Sequence, residues 1–218
     1  MSIEFIMAAN ELKEVESLRK SLEESLTKLI QKVGKVSIGK LEQFPFGWRK
    51  AAKGRTVWRI IEELITQNLE VHHNEFGISK VTASDSEVSV YDMKCEFDGR
   101  SPLYINIKSA VLSGKRTKDD ISKAEGLINF YNEDPNHIFM IATFLIKFNK
   151  DMSIELTKAV VMPIAWIPDL YVNPSNNGNL QSSYAKDLNK AKKRTNATFI
   201  KELKKEIQVA EGKKKKKK

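Results

Sequence analysis

The sequence predicts a mixed α/β domain with a central sheet flanked by helices, and three observations carry that prediction. Apolar residues recur at helical spacing in two N-terminal segments, and β-branched segments flank an Asp98-Gly99 turn. A nearly continuous apolar run then extends from Ile138 to Ile146. Helices, a hairpin and a strand buried on both faces combine most simply as a sheet covered by helices. With 218 residues, 41% of them hydrophobic, the chain can build one sizeable core. One domain is expected over residues 1–212, divided into an N-terminal helix and aromatic connection (1–54), a core (55–170) and a polar loop with a basic helix (171–212). Residues 213–218 are a lysine run.

Each element has its own signal. Leu12, Val15, Leu18, Leu22, Leu26, Leu29 and Val33 recur every three or four residues, so Asn10 to Val33 reads as a long amphipathic helix. That stripe faces either the chain's own core or a second copy of the chain. Residues 34–54, with Pro45, Phe44, Phe46, Trp48 and Arg49, read as an irregular connection tied down by aromatics. A second helix is expected from Thr56, a candidate N-cap, to Asn68, with Trp58, Ile61, Leu64 and Ile65 on one stripe. Glu87–Phe97 and Leu103–Leu112 form the expected hairpin. A third helix is expected over Lys118–Asn132, capped by Thr117, with Ile121, Ala124, Leu127, Ile128 and Tyr131 at helical spacing. Strands follow at His137–Phe148 and Ala159–Ile167, then a polar loop over 171–184 and a basic helix from Lys186 to Ala210.

Composition excludes several classes. No apolar run approaches the roughly 18 residues that span a bilayer, and no signal-like block opens the chain, so a soluble, cytoplasmic protein is expected. A single cysteine, Cys95, precludes an internal disulfide and reads as a core residue on a strand. His72, His73 and His137 alone do not make a structural zinc site. The formal charge of +9 is weaker evidence for nucleic acid than it looks. Removing the six terminal lysines from the 37 basic residues leaves 31 against 28 acidic ones, a net +3. The tail itself offers only salt-sensitive phosphate attraction.

The chemistry is concentrated in the hairpin. On Tyr104-Ile105-Asn106-Ile107-Lys108, strand alternation puts Ile105 and Ile107 on one face and Tyr104, Asn106 and Lys108 on the other. A three-residue loop of Asp98, Gly99 and Arg100 places Asp92 opposite Asn106. A carboxylate, an amide oxygen and an ammonium then converge, which is the set that phosphodiester hydrolysis needs: two oxygen ligands for Mg²⁺ and a lysine for the water and the developing charge.

Asp92 followed by Asn106-x-Lys108 resembles the active-site pattern of the PD-(D/E)XK nuclease superfamily, over about residues 56–148. The resemblance implies a catalytic set of Asp92, Asn106 and Lys108, with Mg²⁺ held by Asp92 and Asn106, and a helical glutamate, Glu62 or Glu63, completing it. The family's second acid is Asn here, so the position is either a tuned neutral ligand or a replacement that leaves a poor nuclease. Lys94-Cys95, Phe97, Ile105 to Lys108, Val172-Asn173-Pro174 and Arg194-Thr195 are similar to SwaI-like type II restriction endonucleases, which cut AT-rich palindromes as homodimers. The implied partners are duplex DNA and a second copy of the chain. Asn173, Asn176, Asn177, Asn179 and Gln181 are candidate base readers, since amide side chains pair with adenine in the major groove. Lys192, Lys193, Arg194, Lys201 and Lys204 are candidate phosphate contacts. A noncatalytic DNA-binding module, a shape-selective junction or repair nuclease, and an interaction protein built on the N-terminal helix are the other readings.

Overall fold

Helix α1 (Ile3–Val33) carries the long apolar stripe, and Leu18, Leu22, Leu26 and Leu29 on it are at most 1% exposed. The stripe therefore belongs to the chain's own core, along strand β7 (Ser153–Pro163). The fold is taken from a computed structural model that describes residues 3–48, 53–84, 86, 89–112, 118–175 and 178–215. Helix α2 (Lys53–His72) starts before Thr56, which lies inside the helix instead of capping it. Thr117 falls outside the described residues.

The main sheet has six strands in the order β1-β7-β6-β4-β3-β2. Its members are β1 (Lys35–Ser37), β2 (Lys80–Ala83), β3 (Met93–Glu96), β4 (Leu103–Val111), β6 (Ile138–Phe148) and β7. Only β4 and β6 run parallel, and a parallel pair requires a crossover. Strand β5 (Asp119–Lys123) and helix α3 (Ala124–Glu133) provide it. Strand β6 is buried on both faces, as its unbroken apolar run requires. The architecture is the expected mixed α/β one.

Four expectations are corrected. Residues 119–123 are a strand, not the first turns of α3: Ile121 is the one buried residue there, and a single inward residue fits a strand as well as a helix. The polar stretch 171–184 is not only loop, because β8 (Tyr171–Val172) and β9 (Asn179–Ser182) join β5 in a second sheet of order β5-β9-β8. Val172 and Leu180 anchor it to the core. Strand β7 spans 153–163 and gives way to a 3₁₀ turn at Ile164–Trp166. The basic helix begins only at Asn196, as α4 (Asn196–Lys215). Upstream, the Lys192 N–H is spent on the Trp166 carbonyl (2.9 Å), and at the start of α4 the buried Asn196 amide donates to the carbonyls of Pro135 and His137.

Two layers result. Helices α1 and α2 pack together on one face, while α3, α4 and the second sheet are gathered on the other. Strand β4 shows both: Ile107 borders α2, and the Tyr104 ring lies edge-on to Phe130 of α3, 4.9 Å between centroids. The β3–β4 turn is fastened to α1 by Arg100, which donates to Ser21 Oγ at 2.8 Å. No helix among the described residues is long and apolar enough to cross a membrane.

Candidate active site

The β3–β4 ladder keeps the expected register, Cys95 opposite Leu103 and Met93 opposite Ile105. One more step would set Asp92 opposite Asn106, but the strands part there. The Asp92 N–H donates to the Ile105 carbonyl at 2.8 Å, one residue short of that register. Its carboxylate turns onto the Ile107 N–H, 2.5 Å away, so the peptide joining Asn106 to Ile107 holds Asp92 in place. Asp92 therefore does not face Asn106 across the ladder as expected; its side chain meets the Asn106–Ile107 peptide instead.

Helix α2 supplies the opposite wall. Arg59, Glu62, Glu63 and Thr66 stand at i, i+3, i+4 and i+7, hence on one helical face. With Ile60, Asp92 and Ile107 they line an open cleft of about 490 Å³. Burial pushes the Asp92 carboxyl above its ordinary value, against the Ile107 N–H and the Lys108 charge, which favour the anion. Burial also raises Glu62, to about 7, with Asp92 adding to the rise and Lys108 and Arg59 opposing it. Glu62, Asp92 and Lys108 thus form one electrostatic unit. Glu63 also lines the cleft but is exposed, and its Oε1 accepts from Gln67 at 2.7 Å, whereas Glu62 is the one coupled to Asp92 and Lys108.

Asn106 is 6% exposed and lies on the Tyr104 side of β4 by alternation. Its Nδ2 donates to the Val90 carbonyl at 3.1 Å, and Ser122 Oγ of β5 donates to the same oxygen at 3.5 Å. The second sheet is thereby tied to the site. Asn106 Oδ1 is buried and has no hydrogen-bond partner among the described residues, which is costly unless a cation or water meets it. Two carboxylates whose ionisation burial opposes suit a hard divalent cation, and Asn106 Oδ1, on the Tyr104 side of the strand, is a further oxygen that no described residue meets. No group of three His, Cys, Asp or Glu side chains gathers as a metal site among the described residues.

The other candidates are scattered. Asn173 closes a turn, its Oδ1 accepting from the Ser175 N–H at 2.9 Å. Gln181 Nε2 is bound to Asp120 Oδ1 at 2.6 Å, and Asn179 lies on β9 opposite Lys123. Asn176 and Asn177 fall outside the described residues. Lys192 and Lys193 are exposed but precede α4, and Lys193 leans over Trp166 at 5.1 Å. Arg194 is turned inward instead: its side chain is 9% exposed, donates to the Ile167 carbonyl at 2.7 Å and pairs with Glu202 at 3.2 Å. Lys201 and Lys204 are exposed on α4. Cys95 is buried, its thiol pushed up to about 12, and serves packing alone. Sequence reasoning missed Arg59, although its position three residues before Glu62 on the α2 pattern was a usable signal.

No family model matches this chain, and neither does any curated protein. Among solved structures it is similar to NlaIV restriction endonuclease, at 12% identity and a TM-score of 0.46, over 72% of this chain and 74% of that one.

Proposed function

We propose that this protein is a Mg²⁺-dependent deoxyribonuclease that hydrolyses phosphodiester bonds in duplex DNA, in the manner of a type II restriction endonuclease. The observation that carries this reading is the electrostatic coupling of Glu62, on the α2 wall of the cleft, with Asp92 on the facing strand wall and with Lys108. Asp92 and Asn106, with Glu62, would hold Mg²⁺, which supplies Lewis-acid polarisation of the phosphate when bound. The Lys108 ammonium orients the attacking water and offsets charge developing on the phosphate. The burial and Asp92 charge that raise Glu62 are what a bound cation would offset. The reading extends to a specific, AT-rich palindrome read by amide side chains such as Asn179, and to a cytoplasmic homodimer, because one site per chain cuts two strands only in pairs.

Asn106 favours an active enzyme over a DNA-binding remnant. Its Nδ2–H bond to the Val90 carbonyl is one that a carboxylate could not make, so the amide is built into the site. Run-off sequencing of plasmid incubated with the protein in Mg²⁺ tests the proposal. Discrete, reproducible termini are expected; intact plasmid, or cutting confined to branched substrates, would overturn it.

A further inference from the structure

Arg59 is a cation that the catalytic set does not use. It stands one helical turn before Glu62, at the rim of the cleft across from Asp92. It is exposed, and its guanidinium carbon lies 4.4 Å from the centre of the Trp58 ring. Among the described residues it forms no ion pair with a carboxylate. A guanidinium stacked on an indole keeps its fork of N–H donors free at the edge while losing rotamer freedom. That geometry matches a phosphate, which accepts two parallel hydrogen bonds.

The electrostatics of the cleft call for such a group. Three carboxylates, Glu62, Glu63 and Asp92, line it, and a DNA backbone would add more negative charge, while the Lys108 charge acts on Glu62 and Asp92. A phosphate approaching past α2 meets Arg59 first. We propose that Arg59, held against the Trp58 ring, grips a backbone phosphate of duplex DNA at the mouth of this cleft, next to the phosphodiester that is hydrolysed. The proposal rests on the nuclease reading above. It makes Arg59 a binding residue, with Trp58 as its positioning residue.

The test measures binding of a short plasmid-derived duplex in Ca²⁺ across a salt series, alongside plasmid cleavage in Mg²⁺. Arg59→Ala should fold normally, since the side chain is exposed. It should reduce the slope of log K against log salt by about one and weaken binding roughly tenfold at moderate salt. KM should rise with kcat little changed. Arg59→Lys should keep the slope and lose a few-fold in affinity, because the charge remains while the fork is gone. Trp58→Ala should weaken binding less than Arg59→Ala and leave the slope intact. A wild-type salt slope and KM in Arg59→Ala would overturn the proposal and leave the nuclease reading standing. Binding without cleavage would remove the nuclease reading while the slope still decides Arg59. A wild-type protein that neither binds nor cuts would overturn both.

Discussion

At the scale of single residues, the site is a set of groups held in states they would not choose in water. Glu62 carries the clearest signature, a carboxyl raised to about 7 chiefly by burial. Its folded value lies above its unfolded value of about 4.5, so the folded chain binds this proton more tightly. The stabilisation is complete below the unfolded value and is lost as pH rises through 7. Glu62→Gln removes the charge that causes the loss. In metal-free protein the substitution should raise stability at pH 8 by about 1–2 kcal/mol and change little near pH 4.5, read by denaturant unfolding at both pH values. An equal effect at both would detach Glu62 from the buried pair.

Asn106 yields the complementary prediction. Asn106→Asp replaces the donor to Val90 by an acceptor, setting a carboxylate against a carbonyl oxygen. Without metal the variant should be less stable by about 1–3 kcal/mol. Added Mg²⁺ should raise its Tm by more than it raises the wild type's, since hard cations favour carboxylate over amide oxygen. Equal Mg²⁺ shifts in the two proteins would mean that position 106 does not meet the ion. The nearness of Asp92 to the strand that carries Asn106 and Lys108 was legible in the sequence because turn length and ladder register are local rules. The turn of Asp92 onto the Ile107 N–H was not, since it arises where β3 parts from β4, and no residue type marks that point.

Among the elements, the second sheet and α3 act as the back wall of the site. Val90 receives Asn106 and Ser122 on its carbonyl, and its side chain packs over Gly126 of α3. A Cβ built at Gly126 would stand 2.8 Å from Val90 Cγ1. Helix propensity alone favours alanine over glycine by about 0.8–1 kcal/mol, but a β-branched neighbour has little room to yield. Gly126→Ala should therefore destabilise the protein by about 1 kcal/mol and lower Mg²⁺ affinity through Val90, measured by thermal unfolding with and without Mg²⁺. A stabilised variant with unchanged Mg²⁺ response would show that α3 does not brace Asn106. This wall was the part least visible in the sequence. Strand β8 has only two residues, and β9 is short, mostly polar and paired with β5 more than 50 residues away, so Val172 and Leu180 carry almost all of their signal. Helices α1 and α2 were legible because several buried residues repeat the helical period in each, and β6 because its apolar run is unbroken.

For the molecule as a whole, the sheet lies between two helical layers and the cleft opens where β4 emerges from under α2. One wall is helix and the other is the parting of two strands, so the carboxylates come from elements far apart in sequence and meet only in the folded chain. Alternation along β4 divides the work: Ile107 faces the cleft, whereas Asn106 reaches the second sheet, and Lys108 acts electrostatically on both carboxylates. The most direct test of this account compares Lys108→Ala with the wild type, measuring plasmid cleavage in Mg²⁺ and duplex binding in Ca²⁺ on the same preparations. The account predicts that cleavage falls by at least about a hundredfold, the range for removing a group that stabilises developing charge, while binding stays within a few-fold. Cleavage by Lys108→Ala at the wild-type rate would contradict it.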